Sequence, residues 1–305
     1  MLSRDHLPRI QESILLTGGA GSGKSYLAMK IHADSLRKDY QFLQVNIASL
    51  NNNLFESELF GHKKGSFTGA VSDRRGFCEK VGRGTLFLDE IGELSLEGQK
   101  KLLNLIEEKI FFSVGSETVK KFQGVFLFAT NKDLFLEVKK GSFREDLYHR
   151  LRGFSYRLES LSERRDKLML IQKEFLKAKF KYHKENLKMS GETFEFLRSY
   201  SFPGNYRELK QILDYATFLA CDEVDLRHLP IWVREESENL VKLGDSYYSA
   251  LEKFERSFLV NKLQKFQGRI NYTSQMIEIS KVTLISKIKK YDINIQSYKV
   301  SKMTM

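Results

Sequence analysis

Short apolar runs alternate with helix-like stretches over the first half of the chain. The runs have the length of buried strands and lie at 13–17, 42–47, 85–88, 125–129 and 155–158. Continuous apolar strands separated by helices are typical of a parallel sheet that is covered on both faces. The pattern therefore predicts an α/β domain over residues 1–160.

The second half of the chain has a different pattern. Residues 161–233 have helical periodicity only, interrupted by a Phe-Pro-Gly-Asn turn at 202–205, and they predict a small helical domain. Residues 234–246 are polar and are interpreted as a linker. Residues 247–305 begin with an amphipathic helical pattern and continue with two shorter ones, which predicts a third domain.

The first predicted strand leads into the sequence GGAGSGKS, which a helical pattern follows. This order of strand, glycine-rich loop and helix is typical of the P-loop, whose backbone N–H groups and helix N-terminus bind phosphates. The predicted phosphate-binding residues are Gly18, Gly19, Ala20, Gly21, Ser22, Gly23, Lys24 and Ser25. We expect the Lys24 ammonium to reach the β- and γ-phosphates and the Ser25 hydroxyl to bind Mg²⁺.

The predicted strand at 85–88 ends in two carboxylates, Asp89 and Glu90. The carboxyl end of such a strand lies beside the P-loop, so Asp89 is placed to orient Mg²⁺ and its waters. Glu90 is placed to polarise an attacking water. Without the P-loop upstream, the same pair would be interpreted as two solvated acids in a turn.

Composition limits the class of protein. The chain has 305 residues, of which 41% are hydrophobic, so it can form several domains with their own cores. Cys78 and Cys221 have no metal-like spacing and give no disulfide framework, which favours a reducing compartment. No apolar run approaches the roughly 18 residues of a membrane span. These features predict a cytoplasmic protein with no membrane partner.

Charge suggests a class of partner. The net charge is +11, and part of the excess lies in residues 262–305. A basic segment of this kind suits a polyanion, which means DNA or RNA before anything else. A second basic run, at 164–188, interleaves with apolar residues at helical spacing, and we interpret it as the solvated face of a helix.

The sequence GSFTGA at 65–70 lies between the P-loop and the acidic strand. In this order of motifs the chain resembles the bacterial enhancer-binding proteins, AAA+ ATPases that activate transcription by sigma-54 RNA polymerase, over almost its whole length. The resemblance implies an AAA+ P-loop NTPase core, a helical lid and a C-terminal Fis-type helix-turn-helix. It also implies ATP and Mg²⁺ as cofactors. The implied partners are sigma-54 RNA polymerase, double-stranded DNA at enhancer-like sites, and further copies of the chain in a hexameric ring.

The resemblance assigns roles to individual residues. The implied sigma-54 contact is the loop tip, Gly65, Ser66, Phe67, Thr68, Gly69 and Ala70. The implied catalytic set is Asn46, Asp89, Glu90, Asn131, Arg144, Arg150 and Arg207. In this set Asn46 restrains the catalytic glutamate, Asn131 is sensor I, and Arg207 of sensor II reads the γ-phosphate. Arg144 and Arg150 act in trans, which requires a closed ring so that every site has a partner.

Each of these side chains also has a simpler explanation when it is taken alone. Arg144 or Arg150 would more often form a surface ion pair, and Asn46 or Asn131 would more often cap a strand end. Phe67 is either an exposed anchor in a flexible loop tip or a side chain folded into the core. The order of the motifs along the chain, rather than any one residue, supports the catalytic roles.

Residues 279–293 resemble the recognition helix of the family's DNA-binding domain. The residues that would face DNA are Lys281, Thr283, Ser286 and Lys287. The chain has Thr273, Ser274 and Glu278 where the family usually has paired alanines and a turn glycine. Because a non-glycine residue in the left-handed conformation costs about 1–2 kcal/mol, we expect a reshaped turn and altered DNA specificity.

Two other departures bear on function. Only about a dozen residues precede the first strand, which we expect to leave the adenine pocket incomplete. The family tends to carry arginines near Ser113 and Val125, in the hairpin that relays nucleotide state to the sigma-54 loop, and neither position is basic here. The preferred interpretation is an ATPase that remodels the closed promoter complex. The alternative is a DNA-binding regulator of the same fold that has lost productive activation.

Overall fold

The computed structural model describes residues 7, 12–50, 54–235, 247–266, 268–293 and 295. The chain divides into two compact units, Met1–His228 and Leu229–Met305, and each is described by itself. The first unit contains the predicted α/β domain and most of the predicted helical domain. Most of the predicted linker, and most of the segment before the first strand, lie outside the described residues.

A five-stranded parallel sheet forms the centre of the first unit. Its strands are β1 (Ile14–Thr17), β2 (Phe42–Asn46), β5 (Thr85–Asp89), β8 (Val125–Thr130) and β9 (Ser155–Arg157). Their order across the sheet is β2-β5-β8-β1-β9. Each strand coincides to within about a residue with one of the predicted apolar runs. The predicted α/β fold with a parallel sheet is therefore confirmed.

Successive residues of the central strands enter two different cores. Leu86 and Leu88 of β5 pack in one cluster, whereas Phe87 packs in the other, because neighbouring side chains of a strand point to opposite faces. Helices cover both faces, so neither face of the central strands carries a row of polar residues. These helices are α1 (Lys24–Ala33), α2 (Phe55–Phe60), α3 (Phe77–Lys80), α4 (Leu96–Glu108), α5 (Leu134–Lys139) and α6 (Glu145–Leu151).

Two short antiparallel hairpins extend from this domain. The first pairs β3 (Gly61–His62) with β4 (Arg74–Arg75) and encloses the predicted sigma-54 loop. The second pairs β6 (Ile110–Phe112) with β7 (Val119–Lys121). Gly61 has φ 81°, and a Cβ atom there would lie 2.5 Å from the carbonyl oxygen of Arg74. Only glycine permits the two strands of the first hairpin to approach so closely.

The predicted helical domain contains more than helices. Its long helices are α7 (Lys167–Lys181), α8 (Gly191–Ser199) and α9 (Asn205–Leu219), as the periodicity predicts. Two strands of two residues each pair in parallel: β10 (Lys188–Met189) lies between α7 and α8, and β11 (Glu223–Val224) follows α9. The prediction of helices alone was wrong here, because two residues are too few to show an alternating pattern.

Two lysines of the basic run at 164–188 have structural roles. Lys167 is buried, and its Nζ donates to the carbonyl oxygens of Arg198 and Tyr200 at 2.7 and 2.6 Å. Lys184 Nζ donates to three carbonyls that follow or end α9, those of Thr217, Phe218 and Ala220. These lysines satisfy carbonyls at the C-termini of α8 and α9. The interpretation of the whole run as a solvated face was therefore too simple.

The described part of the second unit contains three longer helices, as predicted. They span Tyr247–Lys265, Ile270–Met276 and Lys281–Lys290, and their core includes Leu259, Leu263, Leu284, Ile288 and Ile293. Glu278, in the turn between the last two helices, has φ 56°. Glu278 thus adopts the left-handed conformation itself, at a cost of about 1–2 kcal/mol, and the expectation that the missing glycine reshapes the turn was wrong in this respect. Within the described residues of both units, no helix has the length and apolar character needed to cross a membrane.

Candidate nucleotide site and surface loop

The P-loop lies between β1 and the first turn of α1. Gly23 caps the helix with φ 97°, and no side chain caps the N–H groups of its first turn. Gly21 has φ 71°, and a Cβ atom there would lie 2.2 Å from the carbonyl oxygen of Gly204. The loop therefore needs glycine at these points, and it leaves backbone N–H groups at a helix N-terminus for an anion.

The polar side chains of the P-loop fit a phosphate ligand. Lys24 is buried, and its Nζ donates to the carbonyl oxygens of Gly18 at 2.9 Å and Gly19 at 3.2 Å. Burial lowers the pKa of the Lys24 ammonium, and the nearby carboxylates of Glu90 and Asp89 oppose that shift. Ser22 Oγ is buried and has no hydrogen-bond partner among the described residues. An unpaired hydroxyl in a loop of this geometry is suited to a phosphate oxygen.

The two predicted metal ligands are in contact. Ser25 Oγ donates to Asp89 Oδ2 at 3.1 Å, and Asp89 Oδ1 accepts from the backbone N–H of Glu90 at 3.0 Å. A hydroxyl and a carboxylate are oxygen donors of the kind that Mg²⁺ prefers. The residues at this position therefore fit the ion that the sequence predicts.

Glu90 stands in a strained backbone conformation at the end of β5. Its φ and ψ are 56° and 48°, which non-glycine residues adopt rarely and often at functional sites. One carboxylate oxygen of Glu90 accepts the backbone N–H of Asn131 at 3.3 Å. The strand end of β8 thus holds the side chain that is predicted to position water.

The two predicted asparagines lie on either side of this strand end. Asn46 stands opposite Asp89 in the sheet register, and its Oδ1 accepts the N–H of Ala48 at 2.9 Å, which caps a short 3₁₀ turn. Asn131 is exposed and contacts Glu90 through its backbone. The restraint of Glu90 by the Asn46 side chain stays a prediction, since the contact found for that side chain is the cap.

The start of α9 contacts the P-loop through Asn205, a residue that the sequence prediction missed. Its Nδ2 donates to the carbonyl oxygen of Ala20 at 2.9 Å, and its Oδ1 accepts the N–H of Leu161 at 2.8 Å. The N–H of Tyr206 donates to the carbonyl oxygen of Gly21 at 3.1 Å. Asn205 is buried and has φ 54°, a conformation that asparagine tolerates better than most residues. The Pro-Gly-Asn turn was the available signal.

Arg207 lies close to the same loop. Its charge lowers the pKa of Lys24, and its Cβ lies 3.0 Å from where a Cβ on Gly21 would stand. The Arg207 side chain is exposed. The predicted sensor II arginine is thus brought to the P-loop by the docking of α9.

The two predicted trans arginines lie at opposite ends of α6. Arg144 caps the helix, and its guanidinium donates to both carboxylate oxygens of Asp146 at 3.0 and 2.6 Å, which lowers the pKa of Asp146. Arg150 lies in the last turn, is exposed, and has no ion pair with a described residue. Arg144 is thus a surface ion-pair partner within its own chain, whereas Arg150 is available to another molecule.

The predicted sigma-54 loop is folded onto its own base. Phe67 is 37% exposed, and its ring contacts the ring of His62 edge-on with centroids 5.0 Å apart. His62 is buried, and its Nδ1 lies 2.7 Å from Ser57 Oγ. The N–H of Gly65 donates to the carbonyl oxygen of Ala70 at 2.8 Å, which closes the tip. Phe67 is therefore neither fully exposed nor part of the core.

The second hairpin contacts the base of this loop through a lysine that the sequence prediction missed. Lys120 Nζ contacts Glu79 Oε2 at 2.5 Å and Ser113 Oγ at 3.1 Å. Ser113 Oγ in turn donates to the carbonyl oxygen of Phe60 at 3.0 Å. The arginine expected near Ser113 is absent, but a lysine on the facing strand supplies a cation at that position.

The predicted DNA-facing residues differ in their surroundings. Lys281 and Ser286 are exposed. Thr283 N–H donates to Ser280 Oγ at 3.0 Å, which caps the last long helix. Lys287 is half-buried, and its Nζ lies 2.5 Å from Glu255 Oε1. Lys287 thus joins two helices of the second unit, whereas Lys281 and Ser286 are free to meet a partner.

Comparisons with known proteins agree with this geometry. Residues 4–157, just over half of the 305, match the family described as the Sigma-54 interaction domain. Residues 162–244 match the AAA+ ATPase lid domain. The second match coincides with the helical domain predicted from the sequence and extends past it.

Individual relatives match over nearly the whole chain. The hydrogenase transcriptional regulatory protein HoxA of Bradyrhizobium diazoefficiens is 37% identical over 290 residues, 92% of this chain and 60% of HoxA. Regulatory protein AtoC of Escherichia coli is 35% identical over 295 residues, 93% of this chain and 63% of AtoC. The crystal structure of NtrX from Brucella abortus in complex with ATP has a TM-score of 0.68 at 26% identity, and covers 95% of this chain and 66% of NtrX. The chain spans less than two thirds of the length of each of these relatives. It belongs to the sigma-54 interaction domain family, which is the AAA+ family of the bacterial enhancer-binding proteins that its motifs resemble.

Proposed function

We propose that this chain is an ATPase that remodels the closed promoter complex of sigma-54 RNA polymerase. One observation carries the proposal. The carboxyl ends of β1 and β5 bring together the P-loop, the Ser25–Asp89 pair and the strained Glu90. A glycine-rich loop is inserted in the chain between the P-loop and the acidic strand. A site for phosphoryl chemistry and a separate contact loop are what a nucleotide-driven remodelling protein requires.

The residues of the site divide the work of hydrolysis. The Lys24 ammonium, which now donates to the carbonyls of Gly18 and Gly19, would donate to the phosphate oxygens of a nucleotide bound at this loop. Ser25 and Asp89 would hold Mg²⁺, which offsets phosphate charge when bound. The N–H of Asn131 holds the Glu90 carboxylate in position. This carboxylate accepts the proton of the attacking water.

Movement of the lid is the proposed output of nucleotide binding. Asn205 and Tyr206 bond directly to the carbonyls of Ala20 and Gly21, so a shift of the P-loop displaces the start of α9. Arg207 stands next in the helix and is proposed to sense the γ-phosphate. The trans roles of Arg144 and Arg150 require a closed ring, for which we propose a hexamer.

The second unit is proposed to bind double-stranded DNA and tether the ring near a promoter. Its basic residues and the three longer helices of its described part support this proposal, as does the similarity of the chain to the hydrogenase transcriptional regulatory protein HoxA. Lys281 and Ser286 are the proposed contacts, because Lys287 already pairs with Glu255 and the Thr283 hydroxyl lies 2.7 Å from that of Ser280.

Reconstituted transcription from a sigma-54 promoter tests the proposed function. We expect open-complex formation that depends on the protein and on hydrolysable ATP. If the purified protein hydrolyses ATP and binds DNA but opens no promoter, the chain is the alternative regulator that has lost productive activation.

The first prediction concerns the loop tip. We expect Phe67→Ala and Thr68→Ala to keep ATP hydrolysis within about twofold of wild type, because neither side chain reaches the P-loop. Both should lose sigma-54 binding, measured by pull-down with a transition-state analogue of ATP hydrolysis, since burial of one aromatic anchor can contribute about 2–4 kcal/mol to binding.

Two comparisons make this test specific. Phe67→Ala also removes the contact with His62, whereas Thr68→Ala does not, so a shared loss of binding points to the tip itself. Phe180→Ala, which removes a 58% exposed phenylalanine from α7, should bind sigma-54 normally. Retention of sigma-54 by both loop variants would overturn the contact role.

The second prediction concerns duplex DNA. We expect Lys281→Ala to weaken binding and to reduce the slope of log affinity against log salt by about one, the effect of losing one phosphate contact. Lys287→Ala should instead lower the melting temperature of the second unit, because Glu255 loses its ammonium partner. Lys210→Ala, an exposed charge on α9, is the control for net charge.

Fluorescence anisotropy of a labelled duplex over a salt series measures the first effect, and thermal unfolding measures the second. If the full chain shows no affinity for duplex DNA at low ionic strength, the second unit is not a DNA-binding module.

A further inference from the structure

Gln99 is a fully buried polar residue on α4, a helix whose other buried residues are mostly apolar. Its Nε2 donates to the carbonyl oxygen of Leu94 at 2.7 Å and to that of Ser142 at 3.1 Å. Its Oε1 accepts the backbone N–H of Arg144 at 2.8 Å. One side-chain amide therefore uses both donor hydrogens and its acceptor oxygen on three backbone groups.

The three partners of Gln99 belong to two functional segments. Leu94 ends the 3₁₀ turn of residues 91–93 that begins directly after Glu90. Ser142 and Arg144 belong to the loop that enters α6, and Arg144 is the N-cap of that helix. Gln99 thus joins the segment that follows the proposed catalytic carboxylate to the helix that carries both proposed trans arginines.

The segment on the Glu90 side is held to the end of β8. The N–H of Asn131 binds the Glu90 carboxylate at 3.3 Å. Lys132 Nζ, one residue further, binds the carbonyl oxygen of Gly92 at 3.1 Å and Glu93 Oε2 at 2.8 Å. A shift of Glu90 therefore moves the 3₁₀ turn that ends at Leu94, one of the three partners of Gln99.

The segment on the arginine side also has hydrogen bonds of its own. Ser142 Oγ lies 3.0 Å from the carbonyl oxygen of Glu137 and 2.8 Å from a carboxylate oxygen of the same residue, and its one hydrogen donates to this pair of acceptors. Arg144 is fixed by its two bonds to Asp146. The Gln99 side chain is fully buried, and so is its bond to Leu94, whereas its bonds to Ser142 and Arg144 are partly buried. The turn therefore cannot move away from α6 without leaving a polar group of this buried amide unpaired.

We propose that Gln99 is a positioning residue that couples the placement of the arginines a subunit presents to its neighbour to the segment that follows its own Glu90. The proposal rests on the proposed function, because it requires a ring in which an arginine of α6 acts in trans. In such a ring, loss of the Gln99 bonds impairs hydrolysis in the neighbour's site rather than in the subunit's own.

Mixed assemblies of variant subunits test this. We expect Gln99→Met, which keeps the length of the side chain and removes its hydrogen bonds, to lower kcat about 10- to 100-fold, the effect of a misplaced catalytic group. ATP affinity should stay within about threefold of wild type. Addition of Lys24→Ala subunits, which have an intact Gln99 but no nucleotide site, should restore turnover, because they supply correctly placed arginines to the Gln99→Met sites.

Two further variants separate positioning from folding. Leu103→Ala creates a cavity in the core beside the same helix and should lower the melting temperature. Any loss of turnover in this variant should not be restored by Lys24→Ala subunits. Gln99→Asn keeps an amide that both donates and accepts but is one methylene shorter, so it can keep only part of the three bonds and its kcat should lie between those of Gln99→Met and wild type. It replaces Gln99→Met in the mixing experiment if that variant does not fold.

The outcomes are distinguishable from a failure of the proposed function. Arg150→Ala subunits are mixed with Lys24→Ala subunits in parallel. If the arginine variant is complemented and the Gln99 variants are not, or if their kcat equals that of wild type, the coupling role of Gln99 is wrong. If the arginine variant is not complemented either, the trans arginine of the proposed function is wrong, and the inference about Gln99 falls with it.

Discussion

Lys24→Ala is expected to abolish ATP binding, whereas Glu90→Gln is expected to keep binding and lose hydrolysis. Lys24 is the buried ammonium at the phosphate loop, and its charge-assisted bonds contribute about 1.5–3 kcal/mol each, so affinity should fall by about 10²-fold or more. Glu90→Gln has the same shape and still accepts the N–H of Asn131, but it cannot take a proton from water. Hydrolysis should fall by about 10²- to 10⁴-fold.

Nucleotide affinity and steady-state hydrolysis of the purified variants separate the two roles. Lys30→Ala removes an exposed lysine from the same helix as Lys24, and Glu97→Gln changes an exposed carboxylate at the start of α4. Both controls should bind and hydrolyse ATP as wild type does. Hydrolysis at the wild-type rate by Glu90→Gln would remove Glu90 from the catalytic role, while the P-loop assignment would stand.

The sheet and the nucleotide motifs could be predicted because their signals are local. Every residue of β8 is buried, so the strand is an unbroken apolar run in the sequence. The P-loop and the acidic end of β5 need particular residue types at fixed spacing. Each of these features is visible within about ten residues, and the topology of a parallel sheet then brings the strand ends together.

The contacts that connect these motifs could not be predicted in the same way. Asn205 bonds to Ala20 across 185 positions of sequence, and Gln99 bonds to Arg144 across 45. A buried amide has no periodicity, and its partners are backbone atoms that any residue supplies. The sequence therefore indicates which groups react, while their mechanical connection depends on tertiary packing.

Charged residues show the same limit. Lys281 and Lys287 are indistinguishable by charge and spacing, yet one is exposed and the other pairs with Glu255 on another helix. Lys120 is an ordinary strand lysine in the sequence, but the fold places it on Ser113 and Glu79. Long side chains reach partners that are set by packing, so their roles follow from the fold.

Arg150→Ala is expected to lower kcat by about 10³-fold or more while ATP affinity stays within about threefold of wild type. An arginine supplied to a neighbouring γ-phosphate stabilises charge that develops only in the transition state, and such arginines contribute about 10³ to 10⁵ in rate. Arg150 is exposed at the end of α6 and has no ion pair with a described residue, so it can reach another subunit without breaking such a pair. Arg144 would first have to release Asp146 or carry it along.

The turnover of mixed assemblies decides whether Arg150 acts in its own subunit or in trans. Lys24→Ala subunits cannot hydrolyse ATP, but they still present Arg150, so mixing them with Arg150→Ala subunits should restore part of the turnover at the mixed interfaces. Arg152→Ala, an exposed arginine two positions away, is the control and should hydrolyse ATP near the wild-type rate. If mixed assemblies form and turnover is not restored, Arg150 acts within its own subunit, and the ring is no longer required for catalysis.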